Sequence, residues 1–195
     1  MGRSHAMRIT ALLFLAVLTT PVLAEAQSAQ RYSFQFSALG SWPFGGRLDG
    51  VSLGVGWEAQ LRVTPSQWSF GFGAEQTFHD DVRVDNRSVT LFGGFFEPRY
   101  VVDVGSDKAA PYISARFALS QLTLAQGEME ATANGYTING GGGVLVALND
   151  RVNLDLGATL GYKDLGSLRF MGVPQDFGTG VNAIARVGLA VGLGG

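Results

Sequence analysis

The chain has 195 residues, of which 46% are hydrophobic, 15% are charged and 28 are Gly, enough for one domain. Charged residues fall below the share of about 25% that is usual in soluble domains, and Gly is about twice its usual share, which disfavours an ordinary helical or α/β enzyme. A net charge of −2 supplies no basic surface for phosphates, so nucleic acid is not expected as a partner. The absence of Cys excludes disulfides and thiolate metal sites.

The N-terminus has the pattern of a secretory signal peptide. Basic residues precede an apolar run at residues 11–18, and small residues permit cleavage after Ala24 or Ala26. The run is too short for a membrane helix, which needs about 20 apolar residues. We therefore predict a cleaved signal peptide at residues 1–26 and one exported domain at residues 27–195.

Apolar and polar residues alternate along the mature chain, which is the period of a β-strand. Between Val51 and Val63, for example, every second residue is apolar, and the other parity carries Glu58 and Arg62. The alternation predicts eight strands and an all-β fold. In chain order they are residues 32–39, 51–63, 68–79, 89–102, 111–119, 135–148, 151–163 and 180–193.

The strand at residues 89–102 departs from this alternation. Leu91 and Phe95 share the parity of the charged residues in the same strand. We therefore predict a β-bulge near Gly93 and Gly94, where an extra residue would change the parity.

The connections alternate between short and long, which is the layout of an up-and-down antiparallel barrel of the outer-membrane type. The short connections are residues 64–67, 103–108 and 149–150, and the long ones are residues 40–50, 80–88, 121–134 and 164–179.

A soluble barrel turns its apolar set inward, whereas a membrane barrel turns it outward. The polar set is rich in Gly and Ser, a poor composition for a solvated surface, so we predict a transmembrane barrel. Aromatic residues of the apolar set recur near the strand ends, where they would form two interfacial girdles. These residues are Tyr32, Trp68 and Tyr100 at the short-turn end and Phe78, Tyr136 and Tyr162 at the long-loop end.

The polar set carries equal numbers of acids and arginines in this interpretation. A narrow eight-stranded barrel has room for side chains but hardly for a wide aqueous channel. Buried charges must pair, so we predict an interior charge network. Its members are Glu58, Glu75, Glu97, Asp155, Arg62, Arg99, Arg116 and Arg186.

Several short segments resemble the small outer-membrane β-barrels typified by the OmpA transmembrane domain and OmpX. They are the strand end 97–100, the strand start at Pro111, the glycine run 140–143 and the tight turn 148–152. The resemblance implies a salt-bridged interior, periplasmic termini and surface-exposed loops in the outer membrane of a Gram-negative-type bacterium. It also implies contact with outer-membrane lipid and lipopolysaccharide, and with periplasmic chaperones and the assembly machinery. We expect a monomer. The aromatic residue that usually ends the family's last strand is replaced here by Leu193 and two glycines.

His79 is the one His of the mature chain, and we place it with Asp80 and Asp81 at a solvated rim. A zinc site would require three or four ligands. Hydrolases of the barrel type that trim lipid A carry, by resemblance, His and Ser on the last strand, and residues 180–195 contain neither. We therefore predict no enzyme, no metal and no cofactor.

Two functions remain after this. The first is a closed structural scaffold whose loops meet an extracellular ligand or a host surface. The alternative is a narrow pore or a barrel that binds a hydrophobic ligand, resembling OmpW. Apolar residues of the long connections would line the mouth for such a ligand, or pack on one another, or contact outer-leaflet lipid. They are Trp42, Phe44, Leu122, Leu124, Phe170, Met171 and Phe177.

Overall fold

The computed structural model describes residues 31–46, 48–170, 173–176 and 178–194, with the backbone alone at 167–170 and 173–176. The predicted signal peptide lies outside these residues. Within them, eight long strands form one closed antiparallel up-and-down barrel, which confirms the predicted fold. The barrel strands are β1 (Tyr32–Phe44), β2 (Gly54–Val63), β3 (Trp68–Asp80), β4 (Ser88–Val101), β5 (Ala109–Gln126), β6 (Met129–Ala147), β7 (Val152–Asp164) and β10 (Thr179–Leu193).

Neighbours in the sequence are neighbours in the sheet, and β1 closes the barrel by pairing with β10 from Tyr32↔Leu193 to Phe44↔Val181. The strands contain between 10 and 19 residues, and a strand needs about 9–11 residues to cross a bilayer. Each strand is therefore long enough to span a membrane. No helix among the described residues is long and apolar enough to do so.

Short turns join the strands at one end of the barrel, at residues 64–67, 102–108 and 148–151, and we call this the short-turn end. The opposite end, which we call the long-loop end, holds the other four connections. They include a 3-10 turn (Leu48–Gly50) and a small hairpin made of β8 (Ser167–Phe170) and β9 (Val173–Asp176).

The apolar set faces outward and the polar set faces inward. Outward-facing Phe36, Leu61 and Phe72 are 53%, 58% and 59% exposed, whereas inward-facing Glu58 and Glu97 are fully buried. This is the inverted arrangement expected of a barrel whose outer wall contacts lipid acyl chains.

The predicted bulge near Gly93 and Gly94 is wrong. The pairing of β4 with β5 keeps one register from Ser88↔Ala125 to Val101↔Tyr112. The ladder has no pair at Glu97 and Pro98, and it resumes at Arg99 without any shift; Pro98 has no amide hydrogen to donate. Leu91 and Phe95 therefore face inward on the same side as Glu97, as their parity alone indicates.

The predicted long loop at residues 121–134 is also wrong. β5 continues to Gln126 and β6 begins at Met129, so only residues 127–128 form the turn. On the short-turn side of Gln121 the outward residues of β5 are apolar. On the long-loop side the apolar residues Leu122 and Leu124 face inward. The apolar parity therefore changes sides at Gln121, as expected where the surroundings of a strand change from lipid to water.

The first long connection is shorter than predicted. β1 runs on to Phe44, and the connection occupies residues 45–53. β2 starts at Gly54, whereas Val51 forms only an isolated bridge with Asp81. Val55 consequently lies near the long-loop end of its strand.

Candidate functional site: the filled barrel interior

Glu97 lies at the centre of the barrel interior and is fully buried on β4. Its carboxylate accepts two hydrogen bonds from the guanidinium of Arg186, at 2.7 and 2.9 Å, and one from Arg116 at 3.1 Å. Arg99 donates a further, short hydrogen bond from Nε. Arginines from β4, β5 and β10 thus converge on one acid, and charge-assisted pairs of this kind are the strongest protein hydrogen bonds.

Asp155 is a second buried acid on which several donors converge, as they do on Glu97. One carboxylate oxygen accepts from the hydroxyl of Tyr112 at 2.7 Å, and the other from Gln35 Nε2 at 2.7 Å. The latter oxygen also lies 2.9 Å from Arg99 Nη2, while Arg186 donates to the Tyr112 hydroxyl at 2.9 Å. Arg99 and Arg186 therefore join the two acids.

Arg116 joins the remaining acids to this group. Its Nη2 lies 2.7 Å from Glu58 and 2.6 Å from Glu75, and its guanidinium carbon stands 3.7 Å from the centre of the Phe95 ring. A cation over an aromatic face is electrostatically favourable. This contact gives a physical reason for a Phe on the charged side of β4.

Arg62 is less tightly paired than the other network arginines. It donates to Gln60 Oε1 at 2.7 Å and to the hydroxyl of Ser69 at 3.1 Å, and its closest carboxylate is that of Glu97 at 3.6 Å. The structure thus brings all eight residues of the predicted charge network into one connected interior group.

Inward-facing glycines make room for these long side chains. A Cβ atom at Gly157 would lie 2.5 Å from the Tyr112 hydroxyl and 2.8 Å from Arg186 Nε. A Cβ at Gly71 would lie 2.5 Å from Arg62 Nη1. These distances are too short for real Cβ contacts, so the glycines of the polar set are part of how the network fits.

Sequence reasoning missed four polar or aromatic members of the interior, namely Gln35, Gln60, Tyr112 and Phe95. A usable signal was present for Tyr112, because it has the same strand parity as Arg116. Phe95 carried the same parity signal, but an apolar residue on the charged side of a strand was taken as a break in parity.

A cluster of apolar side chains, which we call the leucine plug, fills the interior at the long-loop end. Leu122 and Leu124 lie inside the barrel and are at most 1% exposed, so placing them in a surface loop was wrong. Leu48 enters from the first long connection, and Leu165 from the last. The plug consists of Leu48, Val51, Val89, Leu91, Leu122, Leu124, Ala133 and Leu165.

The other apolar residues predicted to line the mouth of the barrel are not among the described members of the leucine plug. Trp42 lies on β1, is 57% exposed and contacts Phe44 with tilted rings whose centres are 5.4 Å apart. The side chain of Phe170, together with Met171 and Phe177, lies outside the described residues.

His79 is buried, not solvated as predicted. Its Nδ1 lies 2.9 Å from the carbonyl oxygen of Ser52, and its Nε2 lies 2.9 Å from the hydroxyl of Thr77. A carbonyl oxygen only accepts, so Nδ1 donates, and Nε2 accepts from Thr77 in the neutral imidazole. Both ring nitrogens are occupied by structural hydrogen bonds. Among the described residues no group of three or more His, Asp and Glu side chains could hold a metal.

The predicted girdle residues lie on the outer face near the two ends. At the short-turn end Trp68 pairs with Tyr100 across β3 and β4, with 5.2 Å between ring centres. At the long-loop end Tyr136 and Tyr162 lie 6.1 Å apart. Tyr32 and Phe78, like these two tyrosines, are 42–51% exposed. Their role at the membrane interfaces stays a prediction.

The described residues form a closed eight-stranded antiparallel barrel with a charged interior and an apolar outer wall. The structure is similar to that of Neisserial surface protein A (NspA), with a TM-score of 0.63, 16% identity and coverage of 83% of this chain and 97% of that one. No family model and no curated protein sequence matches the chain.

Two further solved structures have the same fold. Outer membrane protein OprG from Pseudomonas aeruginosa matches with a TM-score of 0.55 at 11% identity, covering 86% of this chain and 98% of that one. The attachment invasion locus protein Ail of Yersinia pestis, in complex with the heparin analogue sucrose octasulfate, matches with a TM-score of 0.50 at 12% identity, covering 82% and 95%. At these identities the likeness concerns the fold alone.

Proposed function

We propose that the chain is an outer-membrane scaffold protein, a closed barrel that presents its long-loop end to the cell exterior. The observation that carries this proposal is that the interior is filled along its length. Val101, Ala110 and Tyr112 form an apolar cluster at the short-turn end, the charge network fills the middle, and the leucine plug fills the long-loop end. A cavity of about 30 Å³ beside Arg62 and Arg99 has room for only a water or two.

The β5–β6 hairpin supports an interaction role for the long-loop end. It carries the strands beyond the level of Tyr136, where β7 ends, and exposes Glu128 and Glu130 at its tip. A rigid, paired hairpin presents side chains at a lower entropic cost than a flexible loop does.

The charge of the long-loop end favours a basic partner. Its described side chains include seven acids and two arginines: Asp49, Asp80, Asp81, Asp85, Glu128, Glu130 and Asp164, with Arg83 and Arg87. The short-turn end is balanced, with three acids and three basic residues: Asp103, Asp107, Asp150, Arg31, Lys108 and Arg151. Ail binds a heparin analogue, which is a polyanion. An acidic surface of this kind instead suits a cationic extracellular ligand or host surface.

Purified protein reconstituted in a planar bilayer is expected to give at most small and infrequent conductance steps, because the network and the plug occupy the lumen. A matched variant with Leu122→Ser and Leu165→Ser loosens the plug, and it should give more frequent steps than the wild type. Large, stable openings from the wild-type protein would contradict the scaffold and support the pore that the sequence left open.

The hydrophobic-ligand alternative loses two of its seven predicted lining residues, Leu122 and Leu124. Leu122 and Leu124 pack on other plug residues and are not available to a ligand at the surface. Equally, His79 has no free ring nitrogen for acid–base work, so we propose that the protein is not an enzyme.

We further propose that the chain is exported with cleavage after Ala26 or Ala24, and that chaperones and the assembly machinery insert it as a monomer. The short turns then face the periplasm and the long loops face outward. Fractionation of cells should recover the protein with the outer membrane and lipopolysaccharide. Its intact mass should correspond to a chain that starts at Gln27 or Glu25. Recovery in the soluble fraction would overturn the assignment.

A further inference from the structure

Lys163 is a buried cation that the predicted charge balance did not count. It faces inward on β7, is 3% exposed, and pairs in register with Thr137 on β6 and Gly180 on β10. Gly161, two residues earlier on the same strand, also faces inward. It pairs in register with Asn139 on β6 and Asn182 on β10. Three adjacent strands thus bring four polar side chains together, and we call this group the Lys163 chamber: Thr137, Asn139, Lys163 and Asn182.

The polar atoms of the chamber are incompletely satisfied. Thr137 Oγ1, Asn139 Oδ1 and Asn182 Nδ2 are buried without a hydrogen-bond partner, and all three residues are at most 3% exposed. Within the described part of the chain, Lys163 forms no ion pair within 4 Å. Buried polar groups left in this state cost stability, and a bound water or ion commonly satisfies them.

The chamber is closed at both ends. Above it, Leu48 covers Gly180, where an added Cβ would lie 2.7 Å from the leucine Cδ1, and Leu165 belongs to the leucine plug. Toward the barrel centre, Lys163 lies within electrostatic range of Glu75 and Arg116. These two residues form an ion pair of 2.6 Å. Only 3% of Lys163 is exposed, so little bulk water reaches it.

Among the described side chains, the interior has one more cation than it has acids. Four arginines and Lys163 face Glu58, Glu75, Glu97 and Asp155. As the neutral imidazole, His79 adds no charge, and the four carboxylates already contact arginines. One positive charge is left without its own counter-ion.

We propose that the Lys163 chamber binds a small inorganic anion of the size of chloride. The ammonium group of Lys163, the free Nδ2 of Asn182 and the hydroxyl of Thr137 supply the donors. Asn139 Oδ1 is the one acceptor, and it receives a hydrogen bond from the remaining N–H of Lys163 or from a water beside the ion. The anion completes the interior charge balance and enters as the barrel folds, because the plug covers the chamber afterwards.

Diffraction from wild-type protein refolded in bromide tests the site directly. The expected result is an anomalous bromide peak within hydrogen-bond distance of Lys163 Nζ. Crystals that show only water at this position, with bromide elsewhere or nowhere, would overturn the proposal.

Stability in different anions supplies an independent measurement. The protein is refolded into lipid vesicles in chloride or in gluconate, which is too large for the chamber, at equal ionic strength. We expect chloride to raise the urea midpoint of the wild type, since a ligand that binds only the folded state stabilises it. The Lys163→Met variant should lose this dependence, whereas Lys108→Met, at the one other lysine of the chain, should keep it. An equal chloride effect in all three proteins, or no effect in the wild type, would refute the proposal.

Discussion

Replacing Glu97 by Gln is expected to lower the free energy of unfolding by about 3–5 kcal/mol, the usual cost of removing one partner from a buried ion pair. The reason is that Glu97 accepts hydrogen bonds from Arg99, Arg116 and Arg186. All three arginines are at most 4% exposed, so water cannot replace the lost carboxylate. Urea unfolding in lipid vesicles measures the change.

A double variant distinguishes a shared network from independent contacts. Combining Glu97→Gln with Arg186→Met removes one acid and one cation, so the pair should cost clearly less than the sum of the two single changes. Asp150→Asn is the control, because this acid is exposed in the 148–151 turn and its loss should change stability by about 0.5 kcal/mol or less. Strictly additive effects would contradict the network.

Leu156→Arg should lower the free energy of folding into a membrane by about 2–4 kcal/mol, the cost of a cation near the bilayer midplane. Leu156 faces outward in the middle part of β7, between outward Val144 and Val187 of the adjacent strands. The same substitution at Val55 should cost only about 1 kcal/mol or less, because Val55 pairs with Phe78 near the long-loop end, where the charge reaches water. Reversible folding into vesicles gives both values.

The neighbouring position separates lipid contact from interior packing. Gly157 faces inward, so Gly157→Arg would act by crowding Tyr112 and Arg186 rather than by meeting acyl chains. Spin labels at positions 156 and 55 add a direct readout. Oxygen dissolved in lipid should broaden the signal at position 156, whereas a water-soluble relaxation agent should act more strongly at position 55. A water-exposed label at position 156 would overturn the outward orientation.

The sequence by itself determined which residues face inward. Strand parity is a local property, since successive side chains point to opposite sides whatever the strand pairs with. Parity therefore placed Glu58, Arg116 and Asp155 inside without any knowledge of the pairing. It placed Phe95 there too, and the error lay in explaining that residue by a bulge.

Changes in the apolar parity were harder to interpret from sequence. Leu122 and Leu124 follow outward-facing Leu119 with the opposite parity, and this pattern was taken as the end of a strand. The strand in fact continues to Gln126, and beyond Leu119 its outer face becomes polar and its inner face apolar. No local sequence pattern marks the expected boundary between lipid and water. It can be located only by comparing where the neighbouring strands end along the barrel axis.

Only the tertiary structure decided which groups meet. Arg186 and Glu97 are 89 positions apart in the chain, and their contact depends on closure through β1 and β10 and on the register of every strand between them. The pairing of β2 with β3 placed His79 against Ser52, and the arrangement of the whole interior left Lys163 without its own counter-ion. Such contacts follow from the register around the whole barrel, which no single strand encodes, whereas the side on which each residue lies follows from the strand itself.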